Sequence, residues 1–427
     1  MLKRIGLFII VGFVASGRLA HAATYYASTS GSDSNSCAQA QSVSTPKRTI
    51  KAGISCLSGG GDTLLIRKGT YAESIVNGIP SGTSWSNKVR IANYPGETVW
   101  MAPQASAGKV IYFYQTASYI EFDGINLDAS PLPWGAFIAV SDAAGNPHHL
   151  RLKNAEVIGN SVSGRGAGVI ATGEASPSHQ GGFEFINLTI HGGNNLDQIG
   201  AGSYGIYLAS SDSLIDGCEF YDTLKAAIHI YSGAGMLLTN NVVRNNRIHD
   251  IHRSDDPRLW GILVTGDNHQ IYNNVVYGLG MSGTNASQNS GIYIYTGSGH
   301  KVYNNTISGN AVGGIYVGSD ALGTEVKNNI SYANSGFNFI NGGYSTVAAN
   351  NLFDVDPAFV DASAHNFQLR ANSPAVDAGT GLSGVTTDLT GVARPEGSAV
   401  DIGAYEYRPA QSSSPPPAPS GLRIVAN

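Results

Sequence analysis

The sequence predicts an all-β solenoid, and three observations carry that prediction. An apolar–Asn–Asn–apolar phrase recurs at Leu238-Thr239-Asn240-Asn241-Val242, Ile271-Tyr272-Asn273-Asn274-Val275, Val302-Tyr303-Asn304-Asn305-Thr306, Val326-Lys327-Asn328-Asn329-Ile330 and Val347-Ala348-Ala349-Asn350-Asn351-Leu352. Its second asparagines are spaced by 33, 31, 24 and 22 residues. A second phrase alternates with it: Gly205-Ile206-Tyr207-Leu208, Ala227-Ile228-His229-Ile230, Gly261-Ile262-Leu263-Val264, Gly291-Ile292-Tyr293-Ile294 and Gly314-Ile315-Tyr316-Val317. Short strands of fixed pattern joined by loops of varying length mark units that bury their apolar faces only by stacking. Composition agrees: 54 glycines and 13% charged residues suit strands and turns and leave little material for long amphipathic helices.

The chain opens on an export signal. Lys3 and Arg4 form the basic region, Ile5 to Ala15 the apolar run, and Ala20-His21-Ala22 the cleavage site, so residues 1–22 are expected to be removed. The apolar run is short for a membrane span, and no stable membrane anchor is expected. Export permits a disulfide between Cys37 and Cys56, while Cys218, in a strand position, reads as a small buried hydrophobe. Residues 23–355 read as the solenoid with its N-terminal cap. Thr45 to Ile54 is the one stretch with helical spacing and is expected to shield the first coil. Residues 356–408 form a C-terminal module, and residues 409–427 a Pro/Ser-rich tail. The net charge of −5 gives no basic stripe, which argues against nucleic acid as a partner.

The repeat pattern resembles the right-handed parallel β-helix of the pectate-lyase-like superfamily. The opening Thr45-Pro46-Lys47-Arg48-Thr49-Ile50, Gly61-Asp62-Thr63-Leu64 and Gly69-Thr70-Tyr71 is also similar to exported members of that group. Asp356-Pro357-Ala358-Phe359, Ser373-Pro374-Ala375-Val376-Asp377-Ala378-Gly379, Asp388, Gly391, Arg394-Pro395 and Asp401-Ile402-Gly403-Ala404-Tyr405-Glu406 resemble a C-terminal module often carried by such proteins. The resemblance implies a secreted or periplasmic monomer with carbohydrate activity. In β-helix lyases it also implies a Lys or Arg base and acidic calcium ligands on one sheet face.

Stacked coils place the middle residues of the second phrase, Tyr207, His229, Leu263, Tyr293 and Tyr316, in one outward column. An aromatic stripe on a flat sheet suits the flat C–H faces of sugar rings. The connection before His229 is short, Asp222 to Ala226. Those from Gly192 to Tyr204, Asn245 to Trp260 and Gly278 to Ser290 are long, giving a low floor between high walls with Lys225 and His229 at its base. The wall from Arg247 to Trp260 holds the densest polar cluster of the chain, including His252, Arg253, Asp255, Asp256 and Arg258, and Asp197 stands on the opposite wall.

Three functions fit this cleft. A lyase on an acidic, uronic-acid-containing polysaccharide needs a cation at the carboxylate, a base at C5 and a proton donor at the leaving oxygen. Lys225, His229 and Arg253 are the catalytic candidates. Tyr207, Tyr293, Tyr316, Arg258, Trp260 and His252 are the substrate-binding ones, and Asp255 and Asp256 are candidate Ca2+ ligands. A glycoside hydrolase on a pectin-like polymer would instead use paired carboxylates, Asp255 and Asp256 with Asp197, Asp222 or Asp250. The Gly-His-Gly and Arg-Ile-Lys elements of β-helix polygalacturonases are absent. A non-catalytic carbohydrate-binding protein would keep the tyrosine stripe alone.

Overall fold

A computed structural model describes residues 22–141, 145–160, 168–173, 181–193, 204–223, 225–233, 237–253, 258–281 and 289–408. The expected export signal, the tail after residue 408, Asp197, Asp255 and Asp256 lie outside the described residues, as does most of the long walls. Among the described residues no helix is long and apolar enough to cross a membrane.

Parallel strands wind into a right-handed β-helix with three short strands per coil. One sheet of ten strands runs from Ile75–Val76 to Phe339–Asn341. The other two faces join into a continuous sheet of 21 strands that folds at a corner in every coil. The helical spacing near residue 50 yields one turn and a half, Ile50–Ile54, capped by the Thr49 side chain accepting from the Ala52 N–H. Cys37 and Cys56 are disulfide-bonded beside it, and Cys218 is buried and free. Isoleucine, leucine, valine and phenylalanine from all three faces fill the solenoid interior.

The corner explains the asparagine pairs. Its residues, Gly124, Asn154, Asn187, Gly217, Asn245, Asn273, Asn304, Asn328 and Asn350, all have φ between 50° and 70°. Only Gly, and among L-residues chiefly Asn and Asp, adopt this left-handed conformation at low cost. The residue after each corner points inward. From residue 246 onward it is an asparagine, and the side chains form a ladder: the backbone N–H groups of Asn246, Asn274, Asn305 and Asn329 donate to the Oδ1 atoms of Asn274, Asn305, Asn329 and Asn351 at 2.9–3.0 Å. The repeat assignment at 238–242 is corrected here. Arg244 pairs with Tyr272, so Asn245 and Asn246 occupy the corner. Asn241 pairs instead with His269, whose Nδ1 accepts its N–H at 3.0 Å. The flanking arginines of Arg244-Asn245-Asn246-Arg247 disguise the true repeat.

Asn305 accepts from two groups of Asn274 and donates to the Ile271 carbonyl and to Asn329. Asn305→Leu strands several buried polar groups, each costing about 1–3 kcal/mol, so denaturant unfolding should show a loss of several kcal/mol. An unchanged midpoint and slope would contradict the ladder's role.

His269 gives a pH signature. Its Nε2 donates to the Thr265 carbonyl at 3.0 Å while Nδ1 accepts from Asn241, which fixes the neutral ring. Burial, aided by neighbouring His300, pushes its pKa down to about 3. The folded state therefore binds fewer protons than the unfolded chain, and this contribution is lost as pH falls from about 6.5 toward 3. Melting curves across that window should show a shallower acid decline in His269→Asn, which keeps an acceptor near the Asn241 N–H but does not titrate.

The C-terminal module does not sit on the end of the solenoid. It lies along the corner, gripped by the first asparagines: Asn273 donates to the Thr387 carbonyl, Asn304 to that of Asp401, and Asn328 both donates to the Thr380 carbonyl and accepts from its N–H. The pairs at 273–274, 304–305 and 328–329 thus divide their work, one side chain inward and one toward the module.

Candidate active site

The ten-stranded sheet carries the expected column in the expected register. Tyr207 pairs with His229, His229 with Leu263, Leu263 with Tyr293 and Tyr293 with Tyr316. The recurrent glycine has a packing reason: a Cβ on Gly261 would lie 2.4 Å from the Gly291 carbonyl oxygen and 2.9 Å from Val276. Glycine and the following isoleucine both face the interior, so alternation breaks there. The residue before the glycine then turns outward. Tyr204, Ala226 and Trp260 accordingly join Leu263, Tyr293, Tyr207 and Tyr316 in an apolar cluster outside the solenoid core.

Lys225 and His229 lie together within this cluster, 5% and 6% exposed. The Lys225 Nζ is 5.5 Å from the Tyr204 ring centroid. The His229 ring centroid is 4.8 Å from Tyr204, 5.3 Å from Tyr207 and 5.3 Å from Tyr231. Along the same face Tyr293 lies 6.4 Å from Trp260, 5.4 Å from Tyr295 and 4.9 Å from Tyr316. Tyr231 and Tyr295 are the solvent-exposed rings of the set.

The polar wall is divided by the structure. Arg247–His249 is a strand of the 21-stranded sheet and not part of a loop over the cleft. Arg247 donates to the Tyr405 hydroxyl at 3.3 Å, and His249 stacks between Tyr221 and Tyr277 while bonding Glu219 and Asp250. The backbone of His252–Arg253 pairs with Gly280–Met281 in a separate two-stranded ladder. Arg258 is exposed just before Trp260. Among the described residues no group of three His, Cys, Asp or Glu side chains is placed to hold a metal.

The family model for the right handed beta helix region matches residues 175–255 and 260–382. Pectate lyase Pel9A shares 17% identity over 91% of this chain and 97% of its own, with a TM-score of 0.59. XylC, solved with xylose, shares 11% identity over 89% and 98% with a TM-score of 0.51, and a structure described as a glycoside hydrolase shares 9% over 82% and 99% with a TM-score of 0.55. No curated protein matches the chain in sequence. The chain has the fold of a right-handed parallel β-helix.

In this β-helix, electrostatics separate Lys225 and His229. Burial, and then the nearby Lys225 charge, push the His229 pKa down to about 3, so its imidazole is neutral at neutral pH. Its Nδ1 is buried with no hydrogen-bond partner among the described residues. A buried polar atom left open is a place for a ligand to bond. Burial also raises the phenols of Tyr207 and Tyr293 above their ordinary range, which keeps them protonated donors. Sequence reasoning placed Tyr204 on a wall and overlooked Tyr231 and Tyr295 altogether. The aromatic ending of Ile292-Tyr293-Ile294-Tyr295 was the available signal for the last.

Proposed function

We propose that this β-helix is an exported polysaccharide lyase that binds a uronic-acid polymer across the ten-stranded sheet and cleaves it by β-elimination. The observation that carries the proposal is the pair Lys225 and His229, buried together among a row of aromatic rings on the outward column. Lys225, in its neutral amine form, takes the C5 proton and becomes the ammonium. Electrons of the C5–H bond form the C4–C5 double bond, and the C4–O bond breaks toward the leaving chain. A proton must reach that oxygen, and the Tyr207 and Tyr293 hydroxyls are the protonated donors on this face. His229, neutral and with an open Nδ1, accepts a hydrogen bond from a sugar hydroxyl and orients the ring. We assign Arg253 and Arg258 to the uronate carboxylate, and His252 and Trp260 to contacts with the sugar rings.

Calcium stays an expectation resting on Asp255 and Asp256, and no step above runs through it. The outward column itself holds no carboxylate, which favours elimination over a two-carboxylate hydrolysis. The disulfide between Cys37 and Cys56 supports an oxidising, extracytoplasmic setting.

The test is ultraviolet absorbance of the unsaturated uronate product from a panel of acidic polysaccharides, run with calcium and with chelator. Absorbance that rises with the wild-type protein supports elimination. New reducing ends without absorbance would overturn it in favour of hydrolysis. Binding with neither signal would leave a carbohydrate-binding protein.

A further inference from the structure

The outward column continues past the site toward the N-terminal coils. Tyr112 pairs with Ile138, Ile138 with Ala171 and Ala171 with Tyr207. At that end stands a second aromatic cluster. The Lys109 Nζ lies 4.1 Å from the Tyr112 ring centroid and 5.2 Å from that of Trp134. Tyr114 adjoins Tyr112 at 5.1 Å. The Trp134 backbone N–H donates to the Gly108 carbonyl at 3.2 Å, which ties its turn to the segment that carries Lys109 into the strand Ile111–Phe113, and Trp134 is 39% exposed. The Asn77 Oδ1 accepts from the Tyr114 and Gln115 N–H groups and fixes the strand end below them.

The charge here is unlike that of the neighbouring outward face. There the cations are neutralised: Arg90 by Asp123 at 2.7 Å, Arg151 by Glu121 at 2.8 Å and Arg244 by Asp216 at 2.7 Å. Lys109 faces no carboxylate among the described residues, and burial alone shifts its pKa, downward. An ammonium held by ring faces keeps its outer side for an anion.

We infer that Lys109, Tyr112 and Trp134 form a distal subsite for a uronate of the same polysaccharide chain that occupies Lys225 and His229. The inference rests on the function proposed above. Tyr112 lies four strand steps from His229, about 19 Å at the usual spacing between strands. A long polymer reaches both clusters and a three-sugar fragment reaches one. Trp134 stacks on a sugar ring, and Lys109 meets its carboxylate.

The experiment compares wild type, Trp134→Ala, Lys109→Met and His229→Ala by affinity electrophoresis and calorimetry. The probes are polygalacturonate, alginate and a glucuronate-containing polymer, each beside its three-sugar fragment. In Trp134→Ala and Lys109→Met the ratio of polymer affinity to fragment affinity should fall about tenfold, the scale of a 1.4 kcal/mol contact. Trp134→Phe should recover part of the loss, and melting temperatures should confirm the fold. An unchanged ratio in both variants, with polymer binding lost in His229→Ala, would overturn the subsite and leave the site at Lys225 and His229 standing. Wild-type protein that binds none of the three polymers would overturn both.

Discussion

Lys225→Met is expected to lower the proposed β-elimination by about a hundredfold to ten-thousandfold in turnover, the range for removing a positioned general base. Methionine keeps the length of the stem and its packing on Tyr204 but has no amine, so the fold should survive and the melting temperature should change little. His229→Gln behaves differently. Its ring is neutral at neutral pH, with a pKa of about 3, so its removal costs orientation and one hydrogen bond to substrate. We expect KM to rise more than kcat falls, and the acid limb of the pH–rate profile to keep its position because His229 does not titrate near neutrality. A profile whose acid limb vanishes in His229→Gln would make the histidine the base and contradict the assignment to Lys225.

Glu406→Ala is the substitution with the largest expected effect on stability. Arg394 and Glu406 are fully buried and meet at 2.5 Å. Arg394 also donates to the Gly403 carbonyl and to the Asn273 Oδ1 on the solenoid corner, while Glu406 accepts from the N–H groups of Asp401 and Glu396. Removing the carboxylate takes the ion-pair partner from a buried arginine, a loss of about 3–5 kcal/mol. The consequence should be local first: the module loses its hold on Asn273, Asn304 and Asn328. Limited proteolysis is expected to cut within residues 356–408 before the coils. A variant with wild-type resistance and melting temperature would show that the pair does not secure the module. The double variant Arg394→Met/Glu406→Leu should recover much of the loss, because removing both charges removes the desolvation penalty.

Much of the fold was legible because a β-helix repeats its physics in every coil. Period-two alternation in Gly-Ile-Tyr-Ile marks inward and outward faces, and the paired asparagines mark corners that need a left-handed residue followed by an inward hydrogen-bonding one. The column Tyr207, His229, Leu263, Tyr293, Tyr316 came from that alternation and stands in that register. The corner at Asn245-Asn246 was missed. Its flanking residues, Arg244 and Arg247, point outward to Asp216 and to Tyr405, so they lack the apolar signature of the later copies. His269 was invisible as a ladder member, because nothing local marks an imidazole as a substitute for an asparagine amide.

The sequence by itself determined the solenoid, its strand faces, the aromatic stripe and the placement of Lys225 beside His229, since each follows from backbone periodicity within one coil. Tertiary structure alone decided which side chains of different coils touch. It turned Tyr204 and Trp260 outward at the glycine bend, and it moved Arg247 and His249 away from the cleft to the other sheet. Trp134 came over Lys109 through a turn that closes on Gly108. Asn273, Asn304 and Asn328 were set against a module up to 114 residues away in the chain. These contacts depend on how far each coil rotates and where its loops return. Stacking of whole coils fixes that geometry, and no short stretch of sequence encodes it.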